Sequence, residues 1–308
     1  SYIGLREQQY LFNFMFKKVS HDVSYAHSAQ SRLGWAVIRC LENATGRSAL
    51  LSRLPNLQKN MHSIQNFWHS TMEGYGVTID IMQGELGDIP VDQPLIVVAN
   101  HPYGILDGLV MGSVLAQSGA NFKIIANDIF NKAQEIGEKI LPISFKNTRE
   151  AVLLNLQTRK NALTHLSHGG AIGIFPGGTV STSSKLFSQP VDPVWRSFTA
   201  KMIFKSNALV VPIFFDGNTS RIFQLASHLH PTVRAGLLLR EFKLRLNKPV
   251  RIVIGKPIPR CRLDLFKNDS RKIMDFLRLE TYKLSPNKNQ TFEYGHEFEH
   301  KHRNVKVK

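Results

Sequence analysis

A short apolar run that ends in a group of turn residues constrains the fold of this chain more than any other stretch. Leu95–Ala99 is continuous, apolar and rich in β-branched residues, which is typical of a strand covered on both faces. Residues 100–104 then bring Asn, Pro and Gly, which interrupt regular structure, and Leu106–Leu115 is apolar enough to begin a packed helix. We therefore expect His101 at the carboxyl end of a buried strand, the edge at which open α/β sheets bind ligands.

Strand and helix patterns alternate along the rest of the chain. Apolar or alternating runs predict further strands at 77–81, 122–126, 140–143, 171–175, 208–215 and 250–255. Helical patterns occur at 129–137 and 148–166, and a long amphipathic stretch, Arg221–Leu246, is interrupted at Pro231. This alternation predicts an α/β fold with a largely parallel central sheet flanked by helices.

Composition divides the chain into three parts. Residues 1–75 form a helical pattern, in which Tyr10–Lys18 sets aromatic and apolar side chains beside two lysines. Such a helix either buries one side in a membrane surface or docks on a protein core, and we expect an N-terminal helical segment that associates with a membrane. Residues 76–286 are expected to form the catalytic α/β domain, and 287–308 is a polar tail that we expect to be mobile or weakly packed.

The charge of the chain favours anionic partners. The 39 Lys and Arg against 23 Asp and Glu give a net charge of +16, which suits a phospholipid surface, nucleic acid or an acidic carrier protein. The basic residues of Arg221–Leu246, Arg234 among them, form either a solvated face or a surface for anionic lipid. Nucleic acid is disfavoured, because no basic-aromatic platform and no helix-turn-helix pattern is recognised.

Two further features of the composition concern cysteine and hydrophobic length. Cys40 and Cys261 are too few for a disulfide framework and lack metal-site spacing, so no metal is expected. No run approaches the roughly 20 apolar residues needed to cross a bilayer. If the protein meets a membrane, we therefore expect it to lie on the surface.

His101 and Asp107 are the residues at the central strand end that can carry acid-base chemistry. A neutral imidazole can take a proton from a substrate hydroxyl, and a carboxylate on its other nitrogen fixes the tautomer and stabilises the imidazolium. The spacing alone does not discriminate, because a helix-capping aspartate and a structural histidine give the same pattern. The strand-to-helix context favours a catalytic pair.

A second polar stretch, Phe175–Ser183, follows another predicted strand and contains Gly177 and Gly178. Glycines let the backbone approach a ligand closely, and successive amides can hold an oxyanion or a phosphate. An ordinary glycine-rich turn is the alternative. Since two such strand ends can lie at one sheet edge, we expect both polar stretches to form one site.

Together the two stretches resemble the glycerophospholipid acyltransferases, which acylate a lysolipid or glycerol phosphate. Residues 100–107, Asn-His-Pro-Tyr-Gly-Ile-Leu-Asp, are similar to the family's first block, and 175–181, Phe-Pro-Gly-Gly-Thr-Val-Ser, to its third. Weaker likenesses are Phe145–Arg149 to the second block and Val211–Ile213 to the fourth. The His and Asp of the first block are separated by five residues, where the family usually has four. This variant resembles a bacterial subgroup that includes acyltransferases of lyso-ornithine and related lyso-aminolipids.

The resemblance implies an O-acyltransferase of membrane lipid biosynthesis that uses no cofactor. It would move a fatty acyl group from an acyl thioester, carried by coenzyme A or acyl carrier protein, to the free hydroxyl of a lysolipid. His101 would deprotonate that hydroxyl and Asp107 would orient His101. The implied substrate-binding residues are Asn100, Gly104, Arg149 (for phosphate), Phe175, Pro176, Gly177, Gly178 and Thr179. The implied location is the cytoplasmic face of the inner membrane, on an anionic lipid surface.

Two departures from the family's third block bear on the acceptor. Gly177 stands where the usual Phe-Pro-Glu-Gly-Thr-Arg-Ser has Glu, and Val180 where it has Arg, so the headgroup pocket loses one acceptor and one cation. A bare phosphomonoester is therefore disfavoured, and a lyso-aminolipid is the expected acceptor. A lysophosphatidate acyltransferase is the first alternative, and a non-catalytic lipid-binding protein of the membrane surface is the second.

Overall fold

The computed structural model describes residues 24–29, 31–53, 67–127, 137–144, 146, 148–266 and 269–298. Two of the sequence predictions lie outside these residues, wholly or for the most part. They are the interfacial stretch Tyr10–Lys18 and the helix at 129–137.

Seven strands of the described residues form one sheet. They are β1 Thr78–Gln83, β2 Leu95–Ala99, β3 Phe122–Asn127, β4 Ile140–Ile143, β5 Ala171–Ile174, β8 Leu209–Asp216 and β9 Pro249–Ile254. A separate antiparallel ribbon pairs β6 Thr182–Ser183 with β7 Pro190–Val191. The order in the main sheet is β1-β9-β8-β2-β5-β3-β4, and every neighbouring pair is parallel except β8 with β9. The predicted largely parallel sheet is confirmed.

Helices flank the sheet, as predicted. Those of the described residues are α1 Arg32–Thr45, α2 Arg47–Leu51, α3 Phe67–Gly74, α4 Ile105–Gln117, α5 Arg149–Ser167, α6 Ser197–Lys205, α7 Arg221–Leu229, α8 Pro231–Lys243, α9 Arg260–Asp264 and α10 Ser270–Tyr282. Pro231 separates α7 from α8, because a proline lacks the amide that would continue the first helix but suits the first position of the second. Within the described chain, no helix has the length and apolar character required to cross a bilayer.

Alternate residues of β2 face two apolar layers. Leu95, Val97 and Ala99 belong to the core shared with α3 and α4, whereas Ile96 and Val98 belong to the core shared with α5, α6 and α10. All five residues are fully buried, as the continuous apolar run predicted. Because both faces of the strand are covered, polar chemistry is confined to its end.

The described helices before residue 76 share the core of the α/β domain. Leu50 and Trp68 lie in the same apolar cluster as β2. Helix α1 packs tightly on α8, since a methyl group on Gly46 would lie 2.6 Å from the backbone of Leu239. The described N-terminal helices therefore pack on the α/β domain as part of one core.

Residues 287–298 pack more closely than their polar composition indicates. Arg278 donates hydrogen bonds to the carbonyls of Phe292 and Glu293 at 3.0 and 2.6 Å. The Gly295 amide donates to the Asp192 carbonyl at 2.9 Å. Up to residue 298 the structure differs from the expected weakly packed tail. Hydrogen bonds that involve backbone groups attach this segment to the domain, although it has no apolar face to pack.

Candidate active site

His101 lies just beyond the end of β2, at the carboxyl edge of the sheet, in contact with Asp107 in the first turn of α4. Its Nδ1 is 2.9 Å from Oδ2 of Asp107. Gly104 permits this approach, because its φ of 77° turns the chain sharply between strand and helix in a region that side chains disfavour. The separation is that of a hydrogen bond, although the ring N–H points off the line to the oxygen, an alignment that catalytic pairs often improve when substrate binds.

Asp107 is fully buried and caps the helix as well as contacting His101. Its Oδ2 accepts hydrogen bonds from the amides of Tyr103 at 2.7 Å and Gly104 at 3.0 Å. Burial raises the pKa of Asp107, while the His101 contact and the two amides act in the opposite direction. Capping and pairing, which the sequence left as alternatives, are thus performed by one carboxylate.

The His101 ring is held through both its face and its backbone. It stacks on Phe175, just beyond β5, with ring centroids 4.4 Å apart and planes at 25°. Its amide donates to Oδ1 of Asp192 at 3.1 Å, and its carbonyl accepts from the Ser181 amide at 2.8 Å. Because Nδ1 faces Asp107, Nε2 is the ring nitrogen left to meet a ligand.

His101 faces a cleft of about 590 Å³ with a mainly apolar lining. Side chains of β3, α4, β4 and α8 form the walls, among them Ile124, Leu109, Ile143 and Leu238. The predicted site residues that line the cleft are His101, Gly104, Phe175, Pro176, Gly178 and Thr179. Among the described residues, no group of His, Cys, Asp and Glu is arranged to hold a metal ion.

Three predicted substrate-binding residues lie outside the cleft wall. Asn100 exchanges hydrogen bonds with both backbone groups of Phe215, at 2.9 and 2.7 Å, and so ties the end of β2 to β8. Gly177 packs against Asp192, where a methyl group would lie 3.2 Å from the carboxylate. Arg149 is the exposed first residue of α5.

Asp192 is a buried carboxylate that the sequence analysis did not identify. Its Oδ1 accepts from the His101 amide and from the Ser181 hydroxyl at 2.5 Å, and its Oδ2 accepts from the Trp195 indole at 2.9 Å. Its own amide donates to the Tyr282 hydroxyl at 2.7 Å. Asp192 therefore connects His101 with the glycine loop and α10. In the sequence, an aspartate before a proline predicts only a turn.

Two arginines of the cleft wall were also missed as site residues, Arg196 and Arg234. Arg196 forms a two-bond ion pair with Glu297, at 3.0 and 2.8 Å. Arg234 is only 8% exposed, in contrast to the solvated or lipid-facing position that the amphipathic pattern predicted. Burial of Arg234 depends on the loop after β5, which the sequence of α8 does not specify.

A family model described as acyltransferase matches residues 58–290, which is more than half of the chain. The chain therefore belongs to the acyltransferase family and is an enzyme that transfers acyl groups. The resemblance that the first and third blocks indicated is confirmed. Membership of a family of acyl-transferring enzymes disfavours the non-catalytic alternative.

Two known proteins are similar to this chain. The lyso-glycine lipid O-acyltransferase of Phocaeicola vulgatus is 23% identical over 226 residues, covering 71% of this chain and 77% of the relative. The crystal structure of the 1-acyl-sn-glycerophosphate (LPA) acyltransferase PlsC from Thermotoga maritima aligns with a TM-score of 0.44 and 18% identity. That alignment covers 76% of this chain and 82% of the other.

Replacement of Asp192 by Asn should lower both the melting temperature and the turnover rate. The two carboxylate oxygens of Asp192 accept hydrogen bonds from three donors, whereas Asn has one acceptor oxygen. Each buried donor left unpaired costs about 1–3 kcal/mol. Thermal unfolding measures the loss. The matched control is Asp269→Asn, because this partly exposed cap of α10 accepts from the Lys272 amide and Asn caps equally well. Equal melting temperatures for the two variants would contradict the assigned role.

Proposed function

We propose that this acyltransferase moves a fatty acyl group from an acyl thioester to the free hydroxyl of a lysolipid, and that the acceptor is a lyso-aminolipid. The observation that carries the proposal is the 2.9 Å contact between buried Asp107 and His101, which lines an apolar cleft. This arrangement supplies a base for a hydroxyl and a chamber for hydrocarbon chains. The proposed donor is coenzyme A or acyl carrier protein, since both are anionic and suit a net charge of +16.

In the proposed reaction, Nε2 of His101 removes the hydroxyl proton as the acceptor oxygen attacks the thioester carbonyl. The new C–O bond gives a tetrahedral intermediate whose negative charge lies on the former carbonyl oxygen. Collapse breaks the C–S bond, and the departing thiolate takes the proton from the imidazolium. Asp107 holds the proton on Nδ1 throughout and stabilises the transient positive charge.

The glycine loop beside His101 supplies the proposed donors for the oxyanion. The Gly178 amide donates to the Phe175 carbonyl at 3.0 Å, which closes the turn. Of the loop residues that line the cleft, Thr179 has an amide with no such acceptor in the part of the chain that the structure describes. The Thr179 amide is therefore the loop's candidate donor for the oxyanion.

The acceptor is inferred from the third block and from the relative. Gly177 and Val180 remove polar groups that a bare phosphomonoester would use. The relative from Phocaeicola vulgatus acts, by its name, on a lyso-glycine lipid. Both observations favour a lyso-aminolipid, and lysophosphatidate is the alternative acceptor.

An apolar patch beside the cleft supports attachment to a membrane surface. Leu33 of α1 is 76% exposed, and Leu229 at the end of α7 is 80% exposed. The two helix ends adjoin, because a methyl group on Gly34 would lie 3.8 Å from the Thr232 hydroxyl. Since α8 begins here and lines the cleft, peripheral binding at the cytoplasmic face of the inner membrane would bring lipids to His101.

His101→Ala should lower kcat by about 100- to 10,000-fold without unfolding the protein, because general-base catalysis has that magnitude. The measurement is thioester consumption with and without a lysolipid. The control is His168→Ala, because His168 is exposed at the far end of α5. A near-normal rate for His101→Ala, or thioester consumption that needs no lysolipid, would overturn the proposed reaction.

The acceptor prediction is checked by comparing kcat/KM for a lyso-aminolipid and for lysophosphatidate with the same acyl donor. We expect the lyso-aminolipid to be the better acceptor, because positions 177 and 180 lack the acidic and basic groups of the usual third block. Preference for lysophosphatidate would replace the proposed acceptor by the alternative.

Leu229→Glu should weaken sedimentation with vesicles that contain anionic phospholipid by about tenfold or more, since burying one leucine contributes roughly 1.5–3 kcal/mol. Leu265→Glu is the matched control, because Leu265 is 81% exposed but follows α9, away from the cleft. Equal effects of the two substitutions would argue against the apolar patch as the docking surface.

A further inference from the structure

Arg234 of α8 is a buried cation whose hydrogen-bond partners are all neutral. It is 8% exposed. One terminal nitrogen donates to the hydroxyls of Thr182 and Ser227 at 3.0 and 2.7 Å. The other donates to the Thr179 hydroxyl at 2.9 Å and to the Val180 carbonyl at 3.0 Å. These contacts fix the guanidinium firmly against the loop after β5 without neutralising it.

The charge of Arg234 has no carboxylate partner within the described residues. The aromatic rings of Phe223 and Phe298 lie 4.8 and 4.5 Å from the guanidinium carbon. Burial lowers the pKa of Arg234 to about 9, which leaves it mostly charged at neutral pH. A buried charge with no counter-ion among the described residues is unfavourable, and an anion that enters the cleft would offset that cost.

The three hydroxyls around Arg234 differ in whether their own protons have an acceptor. The hydroxyls of Thr182 and Ser227 donate hydrogen bonds to backbone carbonyls, at 2.9 and 2.7 Å. Within the described residues, the Thr179 hydroxyl accepts from Arg234 and has no acceptor for its own proton. Thr179 and Arg234 line the same cleft as His101. A cation and a polarised hydroxyl donor thus share one wall.

We propose that Arg234 and Thr179 form an anion subsite that recognises the carboxylate or phosphate of the acceptor headgroup. This inference rests on the proposed function, since it assigns a headgroup to the lysolipid. The subsite lies near the base in space, because Arg234 donates to the Val180 carbonyl and the next residue, Ser181, donates its amide to the His101 carbonyl. A short headgroup anion fits this position better than the phosphates of coenzyme A, which the pantetheine arm separates from the thioester.

Position 180 lies beside the subsite and carries a neutral side chain. The side chain there is valine, and it packs toward Gly104 beside the catalytic turn. The guanidinium that donates to the Val180 carbonyl comes from another element, α8, so positive charge lies near this position although its side chain is neutral. The N–H groups of its two terminal nitrogens already donate within the protein, so Arg234 would attract the headgroup by its charge and the Thr179 hydroxyl would donate the hydrogen bond.

The experiment compares three acceptors with one acyl donor. They are an N-(β-hydroxyacyl)glycine, its neutral methyl ester, and lysophosphatidate. For the unmodified protein we expect kcat/KM for the free acid to exceed that for the ester by about 10- to 100-fold, the range of a charge-assisted contact. Most of the difference should appear in KM. Equal values for acid and ester would overturn the subsite even without any variant.

Two substitutions then test which residues cause the preference for the free acid over the ester. Arg234→Gln should turn over acid and ester alike, and Thr179→Val should lose part of the preference while keeping the guanidinium. Arg240→Gln is the control, because Arg240 lies on the same helix but pairs with Glu241 and Ser220 outside the cleft wall. A folded Arg234→Gln protein that keeps the full preference for the acid would give Arg234 a purely structural role and overturn the proposal.

The acceptors also separate this inference from the proposed function. Acylation of the neutral ester that depends on His101 supports the hydroxyl-transfer reaction whatever the outcome for charge. Preference for lysophosphatidate over the glycine compound, lost in Arg234→Gln, would keep the subsite and assign it to phosphate. If none of the three is acylated, both the subsite and the proposed function fail.

Discussion

The chemistry of this sheet edge depends on one contact, the approach of the His101 imidazole to a carboxylate that water does not reach. Burial raises the pKa of Asp107, so its charged form depends on donors supplied by the protein. Two of them are amides at the start of α4, where the helix dipole also favours negative charge. The third is the imidazole. The aspartate thereby gains a partner that offsets desolvation, and the histidine gains a fixed tautomer with one nitrogen left for substrate.

The frame around this contact is built from distant parts of the chain. The backbone of His101 is held by Asp192 and by the Ser181 amide, and the preceding Asn100 is bonded to β8. Asp192 is in turn bonded to Tyr282 at the end of α10. The ring therefore has little freedom even though the turn that carries it is rich in glycine and proline.

The central strand, the turn and the first turn of α4 could be predicted from sequence because their determinants are local. A continuous apolar run, a group of breakers and a helix start lie within twenty or so consecutive residues, and burial on both faces follows from the absence of polar positions in Leu95–Ala99. The contact between His101 and Asp107 was likewise within reach, because both residues belong to that one stretch.

The remainder of the site could not be predicted, because it depends on partners far away in the chain. An amphipathic helix shows which face is apolar, but only the loop after β5 decides that Arg234 is buried rather than solvated. Asp192 lies in an irregular segment whose hydrogen-bond partners come from β2, from the glycine loop and from α10. The antiparallel pairing of β9 with β8 was missed for the same reason, since periodicity carries no direction.

Catalysis by His101 requires that its neutral imidazole carries the proton on Nδ1, and nitrogen NMR of histidine-labelled protein measures directly which ring nitrogen is protonated. Subtraction of the spectrum of a His101→Gln protein identifies the signal. We predict that the neutral ring is protonated at Nδ1, and that Asp107→Ala shifts the population toward Nε2. A neutral ring already protonated at Nε2 in the unmodified protein would contradict the account, because the nitrogen facing the cleft could then no longer accept a proton.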